Sequence, residues 1–157
     1  MLNRKEPKNQ RLIMDNQIEY SLMVGFDKMD FDKVSGMLKD AFWSIGIKKE
    51  EVIKGARNSA LLIGAFTNEG IQIAYSRVIS DKTRFAYILD VIVDENYRKQ
   101  GIGQSMIRFI LDHPELKDVY QWTLITKDAH EVYKKVGFYP LVKPKNWMQL
   151  RHDRPER

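Results

Sequence analysis

The chain has 157 residues, 26 basic and 21 acidic, for a formal net charge of +5, and no cysteine. That length suits one domain able to bury roughly two-thirds of the surface its unfolded form exposes, and the lack of cysteine excludes disulfides and a cysteine acyl-enzyme. The N-terminus holds no apolar run of signal-peptide length and the apolar run 60–66 is far too short to span a bilayer, so a cytoplasmic location without a membrane partner is expected.

Residues 1–17 carry Arg4, Lys5, Lys8 and Arg11 with little to bury and read as a flexible basic arm, in which Met14 is an alternative first residue. A single domain is expected over 18–150. It opens with a strand, 18–24. Residues 30–42 then place Phe31, Val34, Met37 or Leu38, and Ala41 at helical spacing behind Asp30 as N-cap. A short second helix is expected over 48–57. Two β-type runs, 60–66 and 71–79, flank Asn68, Glu69 and Gly70 as a hairpin. The sequence Asp81-Lys82-Thr83 turns into a further strand, 85–93. Beyond Gly103, a helix carries Ile102, Met106, Phe109, Ile110 and His113 along one side, with Pro114 just past its end. A strand over 119–126 follows. Asp128 and Glu131 have capping-box spacing ahead of apolar Val132 and Val136, and Gly137 is the stop signal. Segments 139–143 and 147–150 are expected to close the sheet, and the charged tail 151–157 to fray. This alternation predicts an α/β (α+β) fold, a mixed sheet with helices on its faces.

The densest chemical signal lies between Phe85 and Phe138. A β-rich run, residues 85–93, precedes Arg98-Lys99-Gln100-Gly101-Ile102-Gly103, which opens a helix. The glycines remove side chains that would keep an anion from the backbone N–H groups at the helix start, where the helix dipole favours negative charge, and Arg98 and Lys99 add two cations. A Walker A loop is excluded because no Gly-x-x-x-x-Gly-Lys-Ser/Thr string exists. The dinucleotide fingerprint fails because its third glycine position is Met106. Further on stands Asp128-Ala129-His130-Glu131-Val132-Tyr133, ending in Gly137-Phe138.

Together, the strand, the Arg-x-x-Gly-x-Gly turn and the Ala-x-x-x-Tyr-x-x-x-Gly-Phe helix resemble the GCN5-related N-acetyltransferases. The wording Asp-Ala-His-x-x-Tyr is similar to that of a bacterial branch of small members of that superfamily. The resemblance covers residues 75–138 and implies a central sheet that splays, with acetyl-coenzyme A as co-substrate and no metal. It assigns the pyrophosphate to backbone amides of Lys99, Gln100, Gly101, Ile102, Gly103 and Gln104, beside Arg98. The pantetheine arm would lie along Val91, Ile92 and Val93, pairing with the backbone of Val91 and Val93 as an added strand. Thr126 occupies a position where the family often has an asparagine that contacts the pantetheine; it keeps a hydroxyl and loses the amide. Tyr133 matches the tyrosine that protonates the departing thiolate, its other reading being a packed aromatic, and His130 falls on the same helix face.

The implied activity is direct transfer of an acetyl group to a primary amine, on a small molecule or a peptide, by a monomer or homodimer. An alkyl amine with pKa near ~10.4 is neutral in only about one molecule in 2,500 at pH 7, so its proton needs a route. Where the family often has an acidic residue on the strand, this chain has Tyr87. Strict alternation puts Tyr87, Leu89, Val91 and Val93 on one face and Asp90 and Ile92 on the other, unless a bulge re-aims Asp90. Asp90 is either a hydrogen-bonded carboxylate that fixes a loop or a base acting through water. Candidate acceptor contacts are Trp43, Tyr75, Arg77, Tyr87 and Trp122. Arg77, in an apolar strand, calls for an anionic partner: Asp81, Asp90 or a substrate carboxylate. Two rivals are a coenzyme-binding sensor without chemistry and a basic nucleic-acid-binding module. The second is disfavoured because the charges are dispersed among acids and not clustered with stacking aromatics.

Overall fold

The computed structural model describes residues 18–157, together with the backbone of the strand β1 (Arg11–Leu12). The rest of the expected basic arm lies outside the described residues. The elements that follow are β2 (Tyr20–Val24), α1 (Phe31–Leu38), α2 (Lys49–Arg57), β3 (Leu61–Thr67), β4 (Gln72–Ser80), β5 (Phe85–Val93), α3 (Ile102–Leu111), β6 (Gln121–Thr123) and α4 (His130–Lys134). They form one mixed sheet in the order β1-β2-β3-β4-β5-β6, antiparallel throughout except for the parallel β5–β6 pair.

Each face of the sheet buries its own core. On one side Leu22, Ile63, Ala86 and Ile88 pack against Ile102, Met106 and Ile110 of α3. On the other, Leu62, Phe66, Tyr75 and Ile92 pack against Val34 and Leu38 of α1 and Val52 and Ala56 of α2. Each fully buried aliphatic side chain stabilises the fold by about 1.5–3 kcal/mol, and with both faces filled strands β3 and β4 are buried along most of their length. Asp30 caps α1 as expected, its Oδ1 accepting from the N–H groups of Asp32 and Lys33 at 3.1 Å. Buried Gln72 sets where that helix begins, because its Oε1 accepts from the Asp30 N–H at 2.7 Å.

Four expectations are corrected. No strand forms over 139–143 or 147–150, since Pro140 and Pro144 cannot donate to a ladder; residues 144–146 make a single 3-10 turn instead. The strand expected over 119–126 shortens to three residues. The Asp128–Glu131 capping box is absent: α4 begins at His130, and the Thr126 hydroxyl accepts from the Ala129 N–H at 3.0 Å. Finally, the charged end is tied down, with Arg157 donating to Glu51 of α2 at 2.9 Å.

Candidate active site

The site grows from a bulge. Asp90 has φ 55, a left-handed conformation that Asp tolerates better than branched residues, and the β4–β5 register shifts there between Tyr75 and Arg77. Ser76 compensates for the disturbed ladder, its hydroxyl donating to the Leu89 carbonyl at 3.2 Å. One inserted residue reverses the face parity of the strand. Ala86 and Ile88 ahead of the bulge and Val91 and Val93 beyond it all pack toward α3, whereas Ile92 packs under α1 and α2. The alternation expected for an unbroken strand is therefore overturned, and Asp90 lies on the side of Tyr87.

Asp90 is fully engaged. One oxygen accepts from Arg77 Nε at 2.5 Å and the other from Trp43 Nε1 at 3.3 Å. Arg77 thus finds its anion in Asp90. Asp81 is occupied elsewhere, its Oδ1 accepting from the N–H groups of Thr83, Arg84 and Phe85, which hold its carboxyl far below the usual range. Burial raises the pKa of the Tyr87 phenol and the nearby Asp90 charge raises it further, while Arg77 and Arg151 act in the opposite sense. Tyr75, by contrast, is wholly buried in the α1/α2 core, which places it out of reach of an acceptor; its hydroxyl has no hydrogen-bond partner among the described residues.

Beyond Tyr87 the outer edge of β5 has no strand partner among the described residues, because β6 accompanies β5 only over its first three residues, up to Tyr87↔Thr123. The Asp94 N–H donates inward to the Ile73 carbonyl at 2.8 Å. By alternation the backbone of Ile92 also turns inward, toward β4, and that of Val91 and Val93 turns outward to the free edge. Arg98 folds back over this edge, Nε donating to the Val93 carbonyl at 3.1 Å.

That edge runs directly into the glycine turn. Lys99 (φ 62) and Gly101 (φ 77) are both left-handed, and Gly101 caps α3. The first backward bond of the helix is from the Ser105 N–H to the Gly101 carbonyl at 3.0 Å, which leaves the amides of Ile102, Gly103 and Gln104 without helical acceptors. A Cβ on Gly101 would meet nothing within 4 Å, and one on Gly103 only Val93 Cγ2 at 3.8 Å, so open space stands over these amides. The Gln100 side chain is used otherwise, accepting from the Ile18 N–H at 3.2 Å. This donor set fits a pyrophosphate: free N–H groups at a helix start, room above them, and the cations Arg98 and Lys99.

Where β5 and β6 part, a cavity of about 800 Å³ opens. Tyr87, Trp122, Thr126, His130 and Tyr133 line it, together with residues of the segment 139–149. Tyr133 packs edge-on against Phe138, ring centroids 6.1 Å apart, and burial raises the pKa of its phenol. Trp43, Arg77 and Asp90 stand outside the cavity, on the same sheet face as Tyr87. The residues 39–47 bridge toward the α4 side, with Lys127 Nζ 5.4 Å from the Phe42 ring centroid.

Comparison with known proteins decides the family. Residues 59–140 match the family model of the acetyltransferase (GNAT) domain. The chain belongs to the GNAT acetyltransferase family. A structure described as a GNAT-family acetyltransferase from Xanthomonas campestris pv. campestris superposes on this GNAT chain with a TM-score of 0.76 at 30% identity, covering 83% of this chain and 93% of that one. An acetyltransferase structure from Deinococcus radiodurans R1 gives 0.69 at 23% identity, over 91% and 92% of the two chains. One from Clostridium acetobutylicum, solved with acetyl-CoA, shares the fold at 0.64 and 18% identity, over 84% and 96%. No curated protein matches the sequence significantly. The mixed sheet flanked by helices is the fold of these GNAT structures.

Three residues of this GNAT site escaped sequence reasoning. Ser76 supports the bulge. Asp94, only 9% exposed, accepts from the Asn96 N–H at 3.0 Å and forms an ion pair with Lys33 of α1, whose hydrogen bond lowers the Asp94 pKa. This pair fastens α1 to the start of the glycine turn. An Asp two residues ahead of an Asn, directly after a strand, is a turn signal that would have flagged Asp94; nothing local points to Lys33.

Proposed function

We propose that this GNAT protein is an N-acetyltransferase that transfers the acetyl group of acetyl-coenzyme A directly to a primary amine. The observation that carries the reading is the continuity of the open β5 edge, at the Val91 backbone and the Val93 N–H, with the open amides of Ile102, Gly103 and Gln104. The amides and Arg98 would hold the pyrophosphate, and the outward Val91 and Val93 backbone would hold the arm as an added strand. The coenzyme supplies an activated thioester. The Val91 N–H, next to the bulge, is the donor positioned to polarise its carbonyl.

As the C–N bond forms and the C–S bond breaks, Tyr133 donates to the departing sulfur, and the amine proton leaves to water in the cavity. Asp90 is a positioning residue: its oxygens are already taken by Arg77 and Trp43, and its carboxylate fixes the bulge and the loop carrying Trp43. Arg77, committed to Asp90, does not serve a substrate carboxylate.

Thermal unfolding tests this reading. Acetyl-coenzyme A in excess raises Tm by mass action, and Gly103→Val removes the shift while the protein still melts cooperatively, because the added branches fill the space above the amides. A parent protein with no shift at millimolar coenzyme contradicts it. A coenzyme shift without thiol release across an amine panel would favour the sensor reading.

A further inference from the structure

We infer that the acceptor is a hydrophobic primary amine, a nitrogen borne on an apolar, ring-sized body that packs against Tyr87 and Trp147 in the cavity between β5 and β6. The inference rests on the acetyl-transfer reading and names the acceptor class for it. The cavity, about 800 Å³, has the size of a small-molecule site, and part of it beside Tyr133 is taken by the thioester end of the donor. The remaining wall is built mainly of aromatic rings and prolines, including Phe85, Tyr87, Trp122, Pro144 and Trp147.

Charge is scarce on that wall. Its basic side chains are Lys134, paired with Glu131 at 2.7 Å, and His130, which is exposed. Nearby Arg77 is bound to Asp90 at 2.5 Å, and Arg151, close enough to lower the Tyr87 pKa, is exposed to solvent. Among the described residues, a phosphorylated or carboxylated acceptor therefore finds no uncommitted buried cation in this cavity. A polyhydroxylated one would press its hydroxyls against ring faces and lose hydrogen bonds to water, whereas an apolar body gains by leaving water. Tyr87 shares its face with Asp90 at the bulge, so a ring stacked on Tyr87 directs its amine along β5 toward the outward Val91 backbone. Aromatic faces also suit the ammonium form on entry.

The test uses the full chain. With acetyl-coenzyme A saturating, thiol release is followed with 2-phenylethylamine, glucosamine 6-phosphate and spermidine, and binding of 2-phenylethylamine to the coenzyme A-bound protein is measured by titration calorimetry. Expected is a kcat/KM for 2-phenylethylamine at least tenfold above the other two. Trp147→Ala, at a position 45% exposed and so tolerant of truncation, weakens 2-phenylethylamine binding at least fivefold and raises its KM while the coenzyme-induced Tm shift stays. Preference for either hydrophilic amine, or unchanged 2-phenylethylamine binding in Trp147→Ala, overturns the acceptor class and leaves acetyl transfer standing. Loss of the coenzyme shift in the parent chain overturns both.

Discussion

A phenol near pKa ~10 is a weaker acid than a thiol near ~8.5, so full proton transfer from Tyr133 to sulfur runs about 2 kcal/mol uphill, and burial of Tyr133 widens the gap. Its contribution is then a hydrogen bond to developing thiolate, and Tyr133→Phe is expected to lower kcat by about 10- to 1,000-fold with coenzyme affinity within a few fold. Equal turnover under saturating coenzyme would reduce Tyr133 to packing. Because the phenol stays protonated through neutral pH, the rise of kcat/KM with pH should follow deprotonation of the acceptor amine. At Asp90, Asn keeps the left-handed backbone but leaves Arg77 without its anion, and Val loses both. Urea unfolding should accordingly rank parent above Asp90→Asn above Asp90→Val, the first step costing about 1–3 kcal/mol. The need for an anion beside Arg77 was legible in sequence; the face of Asp90 was not, because period-two counting has no means of placing an inserted residue.

His113, at the end of α3, is 6% exposed, and its Nδ1 accepts from the Glu115 N–H at 3.3 Å. Burial lowers its pKa below the ordinary value, partly opposed by Glu115. The unfolded chain therefore takes up a proton near pH ~6.5 that the folded form refuses. Stability is full above that pH and falls as the pH drops toward the lowered folded value. His113→Asn, which retains an acceptor for the Glu115 N–H, should show a smaller loss in urea midpoint between pH 7 and pH 5.5 than the parent does. Between elements, the ion pair of Lys33 with Asp94 joins α1 to the glycine turn. Lys33→Met should lower stability by about 1 kcal/mol, since the lysine is partly exposed and screened, and weaken coenzyme binding several-fold, with recovery in Lys33→Arg. Unaltered coenzyme affinity would mean that the turn holds its shape without α1. The hairpin, the Asp30 cap and the glycine turn were all written in local residue chemistry. The strands expected over 139–143 and 147–150 do not form because Pro140 and Pro144 cannot donate to a ladder, a local signal that outweighs the apolar content of the segment.

At the level of the whole molecule, what sequence could not supply are pairs joined only by the fold: Lys33 with Asp94, Arg157 with Glu51, Lys127 with Phe42, and the cavity that residues of segment 139–149 help to line. None leaves a local pattern, because each partner's position depends on the completed sheet. The strand-turn-helix order of β5, the glycine turn and α3 was legible because each piece carries its own signal. The central claim is that one continuous surface, from the free β5 edge to the start of α3, receives the coenzyme. Backbone hydrogen exchange with and without saturating coenzyme A measures that surface amide by amide. The account predicts strong protection at Val91 and Val93 and at residues 101–104. Saturated coenzyme with those amides unchanged and protection confined to another part of the sheet would contradict it.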